Sequence, residues 1–304
     1  MDQYQWEKLG LMFQPGKSNW MHSHAQNPFS EFLGNDMFRI HFSSRDKENR
    51  SRGGCFDINM NNPFEILSIS ENPTIDLGEL GAFDDCGAMP GSIVIHQDTR
   101  YMYYTGWSKA MTVPFSFHIG LAISQDEGKS YQRYSKAPVL GRNHFDPFIS
   151  GAPFVIIENG IFKMWYSSCL RWEIDKKTSL PKHYYTIKYA ESKDGILWTC
   201  SSEQCIPFLG NEYAIARPIV FKQDDIYNMW FTFRGDESYR IGLATSLNGK
   251  DWIRNVPLQL NISDSGWDSE MICYANPIFF KDKIYILYNG NNYGEDGIGI
   301  AVMI

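Results

Sequence analysis

The chain has 304 residues, 43% of them hydrophobic and 15% aromatic, with a formal net charge of −7. A chain of this size buries roughly three-quarters of its unfolded surface and needs no disulfide staples. Its lysines and arginines are scattered, which argues against nucleic-acid and anionic-membrane partners, and no run approaches about 18 apolar residues, so no membrane span is expected.

The opening stretch, MDQYQWEKLGLMFQPGK, lacks the basic-then-apolar plan of a signal peptide and predicts a cytoplasmic protein. A degenerate unit follows, MHSHAQNPFSEFLGNDMFRIHFSSRD. Four clearer ones come after it: DDCGAMPGSIVIHQDTRYMYYTGW, DPFISGAPFVIIENGIFKMWYSS, NEYAIARPIVFKQDDIYNMWFTFRG and SEMICYANPIFFKDKIYILYNGN. Each is an apolar strand, a short polar turn and a second strand rich in aromatic or aliphatic residues. Three units carry a further strand pair around a Ser-x-Asp/Asn-(x)-Gly turn: FHIGLAISQDEGKSYQRY, YTIKYAESKDGILWTC and YRIGLATSLNGKDWIRN. There the Asp or Asn bonds its own backbone and the Gly supplies φ > 0, a structural hairpin turn without a functional role. The last copy, GIGIAVMI, stops at the C-terminus, so its outer strand must come from the N-terminus near YQWEKLG.

The spacing of about 60 residues is that of a propeller blade, not of a helical solenoid. Helical periodicity is essentially absent. The expectation is an all-β fold, a five-bladed β-propeller of four-stranded antiparallel blades in one domain, 1–304, its ring closed by the N- and C-terminal strands. Trp165 and Trp230, inside second strands, are expected to pack between blades. The six cysteines (Cys55, Cys86, Cys169, Cys200, Cys205, Cys273) fit no zinc spacing and read as reduced packing residues.

Aligning the units on Ser92, Pro153, Pro218 and Pro277 places Asp85, Asp146, Asn211 and Glu270 seven residues upstream, with Glu212 one residue off. Residues leading into the innermost strands converge at one mouth of the central channel, so Asp85, Asp146, Glu212 and Glu270 are expected to share a pocket as catalytic acids. No cofactor is required, although such acids could instead hold a channel Ca²⁺ through hard oxygen ligands. The second strand returns to the same mouth. It brings Arg45, Trp107, Arg171, Trp172 and Arg234, beside His22, His24, Asn27, Arg217 and Asn276. Amides, carboxylates and guanidinium groups suit sugar hydroxyls, and aromatic faces suit sugar C–H surfaces. The expected partner is a carbohydrate or sugar conjugate.

The stretches NP, DDCG, NHFDP with SGAP, NEYAIARP with YNMWF, and GWDSEMICYANP with YILYNG resemble the five-bladed propeller glycosidases of families 32, 43, 68, 117 and 130. The turn pattern A-x-S-x-D-G-x-x-W is also typical of them, and the resemblance extends over nearly the whole chain. It looks closest to a branch found beside bacterial surface-polysaccharide genes. It implies a base on blade one, a tuning acid on blade three, matched by Asp146, and a general acid on blade four, matched by Glu212. Blade one departs, offering Asn27 where the family has Asp; Asp85 or a histidine-held water would substitute, and Glu270 is an additional acid. The implied function is cleavage of glycosidic bonds by carboxylate acid/base catalysis. A glycosyltransferase or phosphorylase of polysaccharide metabolism, with Arg217, Arg234 and His22 holding phosphate, and a non-catalytic sugar-binding propeller are the alternatives.

Overall fold

The computed structural model describes residues 5–16 and 18–304. Strand β1 (Trp6–Phe13) opens it, and four antiparallel groups follow in chain order. The first is β2 (Ser23–Gly34), β3 (Met37–Arg45), β4 (Ser51–Asn59) and β5 (Asn62–Ile69). The second is β6 (Gly87–His96), β7 (Thr99–Lys109), β8 (Phe115–Ser124) and β9 (Gln132–Arg133). The third is β10 (Ser150–Glu158), β11 (Ile161–Ile174), β12 (Pro181–Ser192) and β13 (Thr199–Gln204). The fourth is β14 (Ala214–Gln223), β15 (Ile226–Arg234), β16 (Arg240–Ser246) and β17 (Ile253–Arg254). The last comprises β18 (Cys273–Phe280), β19 (Lys283–Asn289) and β20 (Ile298–Met303), and β1 is its fourth strand, with Trp6 opposite Met303 and Phe13 opposite Ile298. The N-terminal stretch thus supplies the strand that the last repeat lacks. Single parallel pairs, Ser51 with Gly87 and Tyr185 with Ala214, join the first group to the second and the third to the fourth as eight-stranded sheets. Among the described residues the only helix is the four-residue turn α1 (Asn291–Gly294), and no helix is long and apolar enough to cross a membrane.

The hairpins between first and second strands follow from turn chemistry. Asn35–Asp36, Gln97–Asp98, Asn159–Gly160 and Asp224–Asp225 all have positive φ at both residues, the twist that continues two paired strands smoothly. In the outer turns, Ser124, Ser192 and Ser246 each accept, through the hydroxyl oxygen, the N–H of Gly128, Gly195 and Gly249 at 2.9 Å. These turns also anchor neighbouring groups: Tyr103 on β7 donates its hydroxyl to the Gly195 carbonyl, and the Trp165 indole on β11 donates to that of Gly249.

The core lies in layers between consecutive groups. Val94 and Tyr103 pack with Val155 and Phe162, Trp165 and Ile187 with Ile215 and Met229, and Phe13 and Leu287 with Ile40 and Phe56. Trp230 meets Trp6 edge-on at 6.0 Å, so both interior tryptophans pack between groups as expected. Two further grooves lie elsewhere, one of about 670 Å³ beside the third and fourth groups' outer strands and one of about 520 Å³ near the β2–β3 and β18–β19 hairpins.

Candidate active site at the mouth of the first strands

One end of every group is defined where its first strand begins and its second ends: Ser23 opposite Arg45, Gly87 opposite Trp107, Ser150 opposite Ser168, Ala214 opposite Arg234, and Cys273 opposite Asn289. Every first strand has a register shift near this end. In four of them a non-glycine residue there takes a left-handed backbone: Asn27 (φ 55°), Ala152 (48°), Arg217 (54°) and Tyr274 (56°). Such residues are strained and persist only where surroundings fix them. The fixing group is the same each time, a side-chain oxygen on the preceding group's second strand. Thr105 accepts the N–H of Ala152, Ser167 that of Arg217, Thr232 that of Tyr274, and Asn289 that of Asn27, at 2.7 to 3.3 Å.

At this bulge Arg217 reaches across from β14. Its Nη1 donates to the Gly91 carbonyl on β6 (2.8 Å) and its Nη2 to the Asn27 carbonyl on β2 (3.0 Å), so three first strands meet at one guanidinium. Arg217 is only 2% exposed, its Nε finds no acceptor, and it has no carboxylate partner. Burial pushes its pKa down to about 10. It forms the floor of the mouth.

An arc of aromatic side chains runs along the same end of the strand groups. Phe115 on β8 touches Trp172 on β11 (5.7 Å between centroids), and Trp172 lies 4.7 Å from His183 on β12. His183 stacks on Tyr185 at 4.7 Å, and the hydroxyls of Tyr185 and Tyr239 bond each other. Tyr239 meets Tyr293 of α1 at 5.8 Å, and Tyr293 stacks on Tyr274 of β18 at 6.4 Å. The arc therefore crosses four of the five groups. In the second group the Trp107 indole lies against Gly87, where a Cβ would come within 1.9 Å of its Nε1, so glycine is required there.

Cations flank the arc. The Arg234 guanidinium sits over Tyr213 (5.6 Å) and Tyr239 (5.4 Å) and makes no hydrogen bond to any described residue. Arg45 donates to Gln26 (3.1 Å) and Asn49 (3.1 Å), and lies beside Tyr274, Tyr293 and Glu295 without forming an ion pair. Burial, helped by Arg45, lowers the pKa of His24 to about 4, and burial with Arg234 does the same for His183. Both imidazoles are neutral near pH 7.

No hydrogen bond joins any two of the four expected acids, and among the described residues no three His, Cys, Asp or Glu side chains gather as metal ligands. Asp146 is 1% exposed and saturated, taking Ser168, Tyr166 (2.9 Å), Lys188 (3.0 Å) and Asn143 (3.1 Å). Glu212 holds Arg254 through two bonds of 2.6 and 2.9 Å. Asp85 is half-buried; one oxygen accepts the Gly81 N–H (3.0 Å) and the other is buried without a partner. Glu270 is exposed. The true repeat of acids is Asp84, Asp146 and Asp268. Each accepts the hydroxyl of the tyrosine twenty residues later (Tyr104, Tyr166, Tyr288) and pairs with a cation, Arg133, Lys188 or Lys8. Counting seven residues back missed two of them: with the left-handed Tyr274 matching Ala152, Pro277 lies two residues past the equivalent of Pro153, and β6 skips one residue where β10 skips two.

Other expected residues divide similarly. Asn276 is tied to the backbone and hydroxyl of Ser30, and Arg171 pairs with Glu173 over Tyr184 on the rim, so neither is free. His22 is exposed, and its N–H donates to the Arg45 carbonyl. Asn27 joins the floor through its carbonyl. Trp172 is a member of the arc, and Arg234 sits over Tyr239 in it. Tyr185, Tyr239, Tyr274, Tyr293, His183 and Glu295 were not anticipated.

No family model matches the chain. It is 40% identical over 301 residues to the uncharacterized protein Rv1502 of Mycobacterium tuberculosis (strain ATCC 25618 / H37Rv), covering 98% of this chain and 99% of that one. A 134-residue stretch is 33% identical to a 1,2-beta-oligomannan phosphorylase of Thermoanaerobacter sp. (strain X514), covering 40% of this chain and 43% of the enzyme. Among solved structures, a glycoside hydrolase superposes with a TM-score of 0.78 at 16% identity over 99% of this chain and 92% of its own. A thermostable family-43 glycoside hydrolase gives 0.65 at 14% identity over 95% and 92%. The fold is like that of these glycoside hydrolases. The chain belongs to the family of the mycobacterial protein Rv1502.

Proposed function

We propose that the chain is a carbohydrate-active enzyme that cleaves a glycosidic bond at the mouth of the first strands. The observation that carries this reading is the aromatic arc over a polar floor, since rings stack on sugar C–H faces while arginine, amide and imidazole groups bond hydroxyls. In this reading the five strand groups are blades of one closed propeller domain, 1–304, sealed by β1 beside β20 and by Asn289 holding β2. Asp85 is the acid we assign to proton transfer, because one of its oxygens lacks a partner, and Glu270 is the second acid of the rim. Asp146 and Glu212 hold the blades. Six unpaired cysteines fit a cytoplasmic protein acting on a bacterial polysaccharide or its precursors.

The test is turnover on a panel of nitrophenyl glycosides and oligosaccharides, with and without inorganic phosphate, for the wild type and Asp85→Asn. A general acid typically contributes about 10²–10⁴-fold. Asp85→Asn should lose that much kcat while keeping its melting temperature. The phosphate arm reads whether water or phosphate accepts the glycosyl group. Full turnover by Asp85→Asn would remove the assignment. Sugar binding without turnover on any substrate would make the protein a lectin-like propeller.

A further inference from the structure

Seven of the chain's twelve arginines form ion pairs with carboxylates: Arg39, Arg50, Arg52, Arg100, Arg133, Arg171 and Arg254. Three of the remaining five, Arg45, Arg217 and Arg234, lie along one run of tyrosines. Arg234 sits over Tyr239 at 5.4 Å, Tyr239 meets Tyr293 and Tyr293 stacks on Tyr274, while Arg45 and Arg217 are electrostatic neighbours of Tyr274. Their donors are underused. Arg234 donates to nothing and has a buried, unpartnered Nε; Arg217 has the same vacancy at Nε; Arg45 spends its bonds on two neutral amides. Guanidinium offers five donors and no acceptor. Sugar hydroxyls both donate and accept, so a neutral sugar would be met by mixed amides and carboxylates. A planar cluster of donors matches the oxygens of a phosphate, sulfate or carboxylate instead.

We propose that Arg45 and Arg234, over the buried charge of Arg217, form an oxyanion-recognition site in the mouth, so that the ligand stacked on the tyrosine arc carries, or is accompanied by, a negatively charged group. This rests on the mouth being the glycan site. Two sources share that chemistry: an acidic substituent on the glycan, or free inorganic phosphate. Arg217 is sealed beneath the floor and acts through its field, which is weakly screened at such depth. Arg45 and Arg234 make the direct contacts. Glu295, near Arg45, is a carboxylate beside the site and would narrow it toward anions that reach Arg234.

The experiment is calorimetric and thermal-shift titration of the full chain with sodium phosphate, sodium sulfate, glucuronate and glucose, at constant ionic strength set by sodium chloride. At least one oxyanion should bind saturably and raise the melting temperature, while chloride does not. Phosphate without glucuronate assigns the free ion; glucuronate over glucose assigns an acidic sugar. Arg234→Gln should weaken that binding by roughly tenfold or more, the usual effect of losing a charged hydrogen bond. Arg234→Lys, which keeps the charge but not the fork, should weaken it less and serves if the Gln variant misfolds. No saturable oxyanion binding, or binding indifferent to both Arg234 variants, would overturn the proposal. Because the readout is binding, it stands apart from turnover: an inert enzyme that still binds an oxyanion would sink the cleavage reading and spare this one.

Discussion

Two sets of charged residues in this molecule were built on opposite principles. Along the lead-in segments, Asp84, Asp146 and Asp268 are buried with both a tyrosine hydroxyl and a cation, and Glu212 grips Arg254. At the mouth, a few residues further along each repeat, Arg45, Arg217 and Arg234 have no carboxylate at ion-pair distance. Apart from Asp84 Oδ1, which is buried without a partner, the first set is satisfied without a ligand, and a satisfied group has nothing left to offer one. The second set retains unpaired donors in a partly desolvated place, which is what binding requires. Position in the repeat therefore does not decide function; satisfaction does.

The sharpest way to break the comparison is Asp146→Ala. Lys188, 3% exposed, would keep only the Phe145 carbonyl at 2.7 Å and face an otherwise uncompensated charge. Breaking a buried pair by removing one partner destabilises by about 3–5 kcal/mol. Chemical denaturation should show a loss of that order, with activity per folded molecule little changed. A loss below about 1 kcal/mol together with abolished turnover would move Asp146 from the first set into the second, since surface charges contribute at that lower level.

A smaller effect is expected at the seam between the last group and the first. Asn289 is fully buried, accepts the Asn27 N–H, and donates to the carbonyls of Ala25 and Gly297 at 2.8 Å. Asn289→Ala leaves these three groups without partners and should destabilise by about 1–3 kcal/mol. Since the seam also fixes Asn27, whose carbonyl holds Arg217, oxyanion binding should weaken too. Unchanged binding with lowered stability would show that the floor is set by Gly91 alone.

Much of the architecture was legible because it rests on local rules that repeat. The polar two-residue turns, the Ser-x-Asp-Gly turns and the missing last strand each have one physical solution, and the structure adopts it. The acids were less legible because their register depends on bulges, which insert residues without a strong sequence mark. The tyrosine twenty residues on from each acid is a mark that would have found the repeating structural acids Asp84 and Asp268. Arg45, Trp172, Arg217 and Arg234 were found because second-strand ends and first-strand starts must meet. The tyrosines of the arc were missed because Tyr239 and Tyr293 come from connections between strands, where the repeat pattern gives no register.

The last contrast is in pH. His24 and His183, both in the mouth, have pKa values lowered to about 4, by burial first and by Arg45 and Arg234 second; His41 and His118 shift in the same direction. In the unfolded chain a histidine titrates near pH ~6.5. Between these values the unfolded chain takes up protons that the folded mouth refuses, so stability is full above about pH 6.5 and falls as pH drops toward 4. The paired acids act lower, since the carboxylates of Glu158 and Asp126 stay charged to about pH 2. Melting temperature should therefore decline in two stages, the first shared by His24 and His183 of the mouth with His41 and His118. His183→Phe keeps the stack on Tyr185 and Trp172 and removes one titrating group, so it should flatten the slope between pH 6.5 and 4.5. Saturating oxyanion, by offsetting the arginines that disfavour the imidazolium, should raise the folded pKa toward the unfolded value and so shrink that first stage. An unchanged slope in His183→Phe would mean that His183 binds protons alike in the folded and unfolded chain, and an unchanged first stage under saturating oxyanion would mean that the bare arginines do not set the electrostatics of the mouth.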